Sequence, residues 1–235
     1  MPKPSRKNKP LAIKLNGSQK LLTDEQVAAR IQELSKYSFI AALDLGRQIH
    51  SQHIQAIKSR NNYYSLLCDQ ELKSELLEQT AAILKKAPRD PLALSYHAHA
   101  LRLFGQNEKA LTFLKRLHAL KPNDPKVLNT LATAYKVLGD FKEAETLLTK
   151  ATALKPDYGL AFWNKSDITS SPDEDLKAIQ TQLKKPLTDA VAHHLYFSAY
   201  RLLDKQGNYS EAFDALKAGN ESKRRLLNYL SLIHI

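Results

Sequence analysis

Large apolar residues recur along the chain with the spacing of an α-helical stripe, and the pattern repeats after 34 residues. One copy starts at Pro91, the next at Pro125 and a third at His193. Each copy contains two amphipathic segments joined at a glycine, so the pattern predicts pairs of antiparallel helices. The positions shared by the copies are Gly105, Gly139 and Gly207, then Ala110, Ala144 and Ala212, and in the first two copies Pro122 and Pro156.

Each shared residue type has a physical role in such a helix pair. The glycine between the paired helices can adopt the left-handed conformation that ends a helix. The alanine lies where the second helix crosses the first most closely, and a larger side chain there would overpack the crossing. The proline ends the second helix, because proline cannot continue it. One pair cannot bury its apolar face alone, so we expect neighbouring pairs to stack.

These positions resemble the pattern of the tetratricopeptide repeat (TPR), in which large, Leu–Gly, Tyr, Ala, Phe and Pro positions follow one another at fixed offsets. The resemblance implies an all-α fold, a TPR-type α-solenoid in which antiparallel helix pairs form a right-handed superhelix. It also implies that the chain binds a protein or a peptide, and the repeat by itself implies no chemistry.

Weaker patterns surround the regular repeats. Residues 23–90 predict degenerate TPR-like helices, the first two over 25–36 and 38–59. Thr23 and Gln26 have the spacing of a capping box at the start of the first of these helices. Residues 91–158 hold the two regular TPR units.

The last third of the chain departs from the pattern and then returns to it. Residues 159–229 predict an irregular unit followed by a terminal TPR-like unit. Ser170, Ser171 and Pro172 interrupt the irregular unit, so we predict a short first helix, a loop, and a second helix over 173–184.

Positive charge is concentrated at the N-terminus of a chain whose formal net charge is +11. Residues 1–20 contain six lysines and arginines and no acidic residue, and prolines lie among them. This composition predicts a disordered basic arm over residues 1–22. We interpret the arm as a solubilising tail, with an electrostatic arm for nucleic acid or anionic lipid as the alternative. Because no aromatic residue lies among the lysines, we do not expect nucleic acid as a partner.

Composition also limits the class of protein. No apolar run reaches the roughly 18 residues that a transmembrane helix needs, and no apolar segment typical of a secretory signal follows the basic N-terminus. Cys68 is the only cysteine, and we interpret it as a half-buried core residue. A chain without an intrachain disulfide fits a reducing compartment, and we expect the protein to be cytoplasmic.

The sequence offers little support for catalysis within these residues. A Gly-x-Ser-x-Gly elbow and a Gly-rich phosphate loop are both missing from the sequence. His50 and His53 have a spacing that could place them on one side of a helix, but no further ligands lie nearby in sequence, so we interpret them as surface histidines. We therefore predict no catalytic, cofactor-binding or metal-binding residue in this chain.

The remaining candidate is a groove lined by the first helix of each pair. The row begins with Ser95, His99 and Arg102, and it continues with Asn129, Thr133, Lys136, Trp163 and Asp167. The basic residues of this row favour an acidic protein or peptide as partner. Trp163 has two interpretations of equal weight, an anchor for the partner or a side chain that packs on the next unit.

The segment 91–229 also resembles the N-terminal region of bacterial TPR-containing sulfotransferases. The residues that carry this resemblance run from Leu195, Phe197 and Tyr200 through Gly207, Tyr209, Glu211, Ala212 and Phe213, and they end in Gly219, Asn220, Lys223 and Arg224. In that family a following domain binds 3′-phosphoadenosine-5′-phosphosulfate (PAPS) and transfers its sulfonate to a hydroxyl group. The resemblance implies that this chain is the partner-binding part of a longer enzyme, with PAPS bound only by a domain beyond it. A stand-alone TPR adaptor without an enzymatic domain is the alternative.

Two features near the C-terminus bear on this interpretation. Gly219 followed by Asn220 predicts that one helix ends and another begins there. Residues 230–235 can be translated from the transposon end sequence used in preparing sequencing libraries, so we interpret them as an adapter-derived tail. An ordinary apolar helix end is the alternative.

Overall fold

The computed structural model describes residues 10–15, 18–69 and 72–227, and within them it contains one β-hairpin and twelve α-helices. The helices form six consecutive pairs, which is the all-α TPR-type arrangement that the repeats predict. The elements are β1 Leu11–Leu15, β2 Ser18–Leu22, α1 Asp24–Tyr37, α2 Phe39–Gln52, α3 Ile57–Asp69, α4 Lys73–Lys86, α5 Pro91–Leu103, α6 Asn107–Leu120, α7 Pro125–Val137, α8 Phe141–Leu154, α9 Gly159–Lys165, α10 Pro172–Leu183, α11 Asp189–Lys205 and α12 Tyr209–Leu226.

The chain divides into two compact units, Met1–Leu117 and His118–Ile235. Unit 1 contains the hairpin and helices α1 to α5, with most of α6. Unit 2 contains the last residues of α6 and helices α7 to α12. Each unit has its own apolar clusters.

The hairpin corrects the prediction that residues 1–22 form a disordered arm. Strands β1 and β2 pair antiparallel, with Leu11 opposite Leu22. Leu11 and Ile13 alternate onto one face, where they are buried against side chains of α1 and α2. The alternation has the two-residue period of a strand, but the lysines that dominate the composition obscured it. Residues 1–9 of the predicted arm lie outside the described residues.

The first helices show one confirmed prediction and one wrong boundary. Thr23 and Gln26 form the predicted capping box, with the Gln26 backbone N donating to Thr23 Oγ1 at 3.2 Å. The helix predicted over 38–59 is instead divided, because α2 ends at Gln52 and α3 begins at Ile57. The Asp24 carboxylate accepts hydrogen bonds from the backbone N of Lys58 and Ser59 at 2.9 and 2.8 Å. A side chain distant in sequence therefore caps α3, and local patterns do not reveal such a cap.

The repeat positions behave as their residue types predict. Gly105, Gly139 and Gly207 have φ angles of 71°, 84° and 78°, the left-handed conformation expected between paired helices. Ala110, Ala144 and Ala212 are buried in the helix crossings. Ala144 packs in a cluster of unit 2 that also contains Leu128, Ala132, Leu148, Ala151 and Ala161.

We expect Ala144→Phe to lower the free energy of unfolding by about 1–3 kcal/mol, because the alanine is fully buried and a phenyl ring would overpack the crossing. Lys142→Phe is the matched control, since Lys142 is exposed on the same helix. Urea denaturation followed by circular dichroism measures both variants. Equal stability of the two variants would show that the repeat register assigned here is wrong.

Gly219 corrects the predicted helix boundary near the C-terminus. Helix α12 continues through Gly219 and Asn220 to Leu226. A Cβ atom on Gly219 would lie 2.7 Å from ring carbons of Phe197 on α11. The glycine therefore permits the close approach of α11 and α12 rather than ending a helix. The segment 230–235, interpreted from the sequence as a tail, lies outside the described residues.

Candidate functional site

The predicted groove residues lie on first helices of their pairs, but they belong to both units. Ser95, His99 and Arg102 lie on α5 in unit 1. His99 is exposed, whereas Ser95 and Arg102 are half-buried. Partial burial lowers the pKa of Arg102, and partial burial followed by the Arg102 charge lowers the pKa of His99. Within the described part of the chain, the Arg102 guanidinium has no hydrogen bond or ion pair.

The predicted residues of unit 2 meet through direct contacts. Asn164 Nδ2 donates to Asn129 Oδ1 at 2.8 Å, which links α9 to α7. Thr133 Oγ1 donates to the Asn129 backbone O of its own helix at 2.9 Å, so this hydroxyl is satisfied locally. Lys136 reaches the segment after α9, where it binds Asp167. Asn129 and Thr133 therefore have structural hydrogen bonds, and the charged groups Lys136 and Asp167 lie beside them.

The charged groups and one adjacent tryptophan form what we call the Asp167 cluster. It consists of Lys136, Trp163, Asp167, Arg201 and Lys205. Lys136 Nζ lies 2.8 Å from Asp167 Oδ2, and Arg201 Nη1 forms an ion pair with Asp167 Oδ1. Lys136 and Arg201 come from α7 and α11, so they approach the carboxylate from separate helix pairs. The Asp167 side chain remains 41% exposed.

The shortness of α9 brings these groups together. This helix has only seven residues and ends at its C-cap residue Ser166, so Asp167 follows it directly. The C-terminal carbonyl groups of a helix carry partial negative charge and attract cations. Lys205 Nζ donates to the backbone O atoms of Ser166 and Asp167, each at 2.9 Å. Arg201 and Lys205 lie four residues apart on α11 and therefore share a face.

Trp163 forms an aromatic wall of the cluster. The Arg201 guanidinium lies 3.6 Å from the centroid of the Trp163 ring, a close cation–π contact. Phe197, also on α11, meets the Trp163 ring edge-on, with 6.1 Å between the two ring centroids. Trp163 thus packs against the following helix pair while its side chain stays half-buried.

The cluster has an excess of positive charge. It holds three cationic side chains, Lys136, Arg201 and Lys205, against the single carboxylate of Asp167. All four are at least partly exposed. A surface of this kind attracts negatively charged groups.

Sequence reasoning did not identify Arg201 and Lys205, although the repeat register contains a signal for Arg201. His99, Thr133 and Asp167 occupy the ninth place of successive units. In the copy that starts at His193, the ninth place is Arg201. Extending the row by one more unit would have added this residue.

Beside the cluster, a buried ion pair holds α9 in place. Lys165 Nζ lies 2.7 Å from Asp175 Oδ1 on α10, and both side chains are almost fully buried. This pair connects the short helix to its partner helix, so it supports Trp163 and Asp167 on either side of Lys165.

Unit 1 has two open cavities between its first helices. Two neighbouring cavities, of about 160 and 440 Å³, lie between α1 and α3 and share Gln32 and Asn62 in their walls. Small and uncharged polar side chains form much of the lining, and Asn62 Nδ2 donates across it to the Ala28 backbone O. Lys58 in the larger cavity is paired with Glu25, so this surface lacks the positive excess of the Asp167 cluster.

Two residues considered in the sequence analysis, His50 and Cys68, pack within unit 1. His50 was predicted to be a surface residue and is instead buried, with Nδ1 3.2 Å from the Tyr64 hydroxyl. Burial, together with the charge of Arg60, lowers the pKa of His50 to about 4. Burial raises the pKa of the half-buried Cys68 thiol to about 11.

The described residues contain neither a metal-binding cluster nor a helix that could span a membrane. The described residues bring no three His, Cys, Asp or Glu side chains into a metal-binding arrangement. Among the helices that the structure describes, none has both the length and the apolar character needed to cross a bilayer.

Known proteins with the tetratricopeptide-repeat fold are similar to this chain. Residues 101–164 match the sequence model of the tetratricopeptide repeat. No curated protein matches the chain in sequence. Solved structures match it at low identity, which shows a shared fold alone.

Three of these structures illustrate the match. A thermophilic TPR protein of Thermus thermophilus is 19% identical, with 81% of this chain and 99% of that chain covered and a TM-score of 0.55. MamA is 18% identical, with 69% and 95% covered and a TM-score of 0.54. The Cut9–Hcn1 hetero-tetramer of the APC/C is 16% identical, with 85% and 39% covered and a TM-score of 0.61.

Proposed function

We propose that this chain, which has the tetratricopeptide-repeat fold, is a protein-interaction module whose unit 2 binds an acidic peptide at the Asp167 cluster. The observation that carries the proposal is the excess of positive charge at Lys136, Arg201 and Lys205 beside the half-buried Trp163. Repeat folds of this kind present side chains of successive units in a row, which suits an extended partner.

The chemistry of the cluster favours a peptide that carries carboxylates. Lysine and arginine donate charge-assisted hydrogen bonds to carboxylate oxygens, and an exposed basic surface accelerates encounter with an acidic partner. An aromatic ring beside the cations offers apolar contact, as in the centres of many interfaces. Arg102 of unit 1 is a further unpaired cation among the described residues, and we propose that it gives unit 1 its own preference for acidic groups.

We expect the double variant Lys136→Gln, Arg201→Gln to bind a glutamate-rich peptide about tenfold more weakly, since two exposed charge contacts of up to about 1 kcal/mol each are lost. Fluorescence anisotropy of a labelled peptide measures the affinity at low ionic strength, about 25 mM. The control is Lys126→Gln, Lys142→Gln, which removes the same charge from exposed positions of unit 2 outside the cluster. Equal affinities of the two double variants would contradict the assignment of the site.

A second proposal concerns a longer protein and is supported by the sequence resemblance alone. In it, residues 91–229 are the partner-binding part of a sulfotransferase, and a PAPS-binding domain follows them. The continuous helix α12 removes the argument that Gly219 and Asn220 mark the junction, so Ala212, Phe213, Lys223 and Arg224 remain as support. The stand-alone TPR adaptor is the alternative.

The reading frame after the codon for Tyr229 separates these two alternatives. A frame that continues into a strand, a phosphate-binding loop and a helix would support the sulfotransferase. A native stop codon within a few residues, with residues 230–235 present in the genome, would refute it.

A further inference from the structure

We propose that Lys136, Arg201 and Trp163 form a subsite for one acidic side chain of the partner, next to an apolar one, and that Asp167 occupies this subsite until the partner displaces it. The inference rests on the proposed function, because it specifies how the Asp167 cluster takes an acidic peptide. In this proposal, Asp167 occupies the position that an aspartate or glutamate side chain of the ligand would take.

The geometry around Asp167 is that of a bound carboxylate. Its two oxygens are held by cations from different helix pairs, Oδ2 by Lys136 at 2.8 Å and Oδ1 by Arg201. The side chain is nevertheless 41% exposed, so an incoming carboxylate can approach the same cations from solvent. Exposed ion pairs contribute little free energy each, so one carboxylate can replace another at small cost.

Both cations have contacts besides the Asp167 carboxylate. Arg201 also stacks on Trp163 at 3.6 Å and donates to the Trp163 backbone O at 3.4 Å. Lys136 Nζ also donates to the Asn164 backbone O at 3.2 Å. The carbonyl groups at the end of α9 are bound by Lys205. The two donors are therefore preorganised, and preorganised donors reduce the cost of binding a ligand.

Trp163 defines the second property of the ligand. Its ring is only half-buried and lies directly beside the Arg201 guanidinium. An apolar side chain adjacent to the acidic one can pack on the exposed part of this ring while the carboxylate binds the cations. The ligand class is therefore a peptide in which aspartate or glutamate neighbours an apolar residue.

Asp167→Asn tests the inference, because it removes the competing charge and keeps the shape of the side chain. Asp214→Asn is the control: Asp214 is exposed on α12, and its loss changes the net charge equally. Trp163 is the only tryptophan of the chain, so its emission reports the site directly. The probe is a tryptophan-free peptide of alternating glutamate and leucine, also labelled for anisotropy.

We expect the peptide to change Trp163 emission in a saturable way and to bind Asp167→Asn about three- to tenfold more tightly than wild type, from the loss of two competing ion pairs. Asp214→Asn should match wild type within about twofold. Tighter binding of Asp167→Asn that is lost when the peptide glutamates are replaced by glutamine would support the subsite.

Two results would overturn the inference, and only the first of them would leave the proposed function intact. In one, wild type binds the peptide but Asp167→Asn binds equally or more weakly, which would make Asp167 a residue that positions the cations. In the other, anisotropy reports binding while Trp163 emission stays unchanged, which would place the acidic ligand elsewhere. If neither wild type nor Asp167→Asn binds by either signal, the proposed function itself fails.

Discussion

Asp90→Ala is expected to lower the free energy of unfolding of unit 1 by about 3–5 kcal/mol, because it leaves a buried guanidinium without its counter-charge. The Arg60 side chain is 0% exposed, and its Nη2 lies 2.8 Å from Asp90 Oδ2. The Nε and Nη1 atoms of Arg60 have no hydrogen-bond partner among the described residues. The loss of Asp90 would therefore remove the ion pair that balances the buried charge. Urea denaturation followed by circular dichroism measures this change.

The same substitution also removes a helix cap, and a second variant separates the two effects. Asp90 Oδ1 accepts a hydrogen bond from the Ala93 backbone N at 2.7 Å at the start of α5. Asp90→Asn keeps an acceptor for this cap, worth about 1 kcal/mol, while it removes the charge. Asp90→Asn should therefore retain about 1 kcal/mol more stability than Asp90→Ala. If Asp90→Ala lowers the free energy of unfolding by less than about 1 kcal/mol, the Arg60 guanidinium becomes hydrated when the carboxylate is removed, and the prediction is wrong.

Asp175→Ala is expected to destabilise unit 2 by about 3–5 kcal/mol, because Lys165 would remain buried and unpaired. Lys165 and Asp175 are 7% and 10% exposed in their side chains, at a distance of 2.7 Å. The pair holds a helix of seven residues, which has little stability of its own. Trp163 lies on this helix, so denaturant titration of its emission follows the local change together with unfolding of the unit.

A double variant provides the control for this prediction. Lys165→Met combined with Asp175→Leu removes both charges, and such replacements of buried pairs are often neutral or stabilising. We therefore expect the double variant to recover most of the stability lost in Asp175→Ala. If the double variant is as unstable as the single one, the effect arises from packing and not from the uncompensated charge.

The candidate site shows where sequence reasoning stopped. The predicted row contains Lys136 and Trp163, which are members of the Asp167 cluster, and the same register extends to Arg201. The pairing of Lys136 with Asp167 spans 31 residues and joins two helix pairs. Long charged side chains reach several neighbours on a helix surface, so spacing alone does not select the partner that they bind.

The regular helix pairs over 91–158 and their internal turns could be predicted from the sequence, because they depend on local interactions. A left-handed turn requires glycine at Gly105, Gly139 and Gly207, and a close helix crossing requires a small residue such as Ala144. The folded structure was needed to identify the cap that Asp24 places on α3, the packing of Gly219 against Phe197, and the cations around Asp167. Each of these contacts joins residues that lie far apart in the chain, and their distance depends on how whole helices pack.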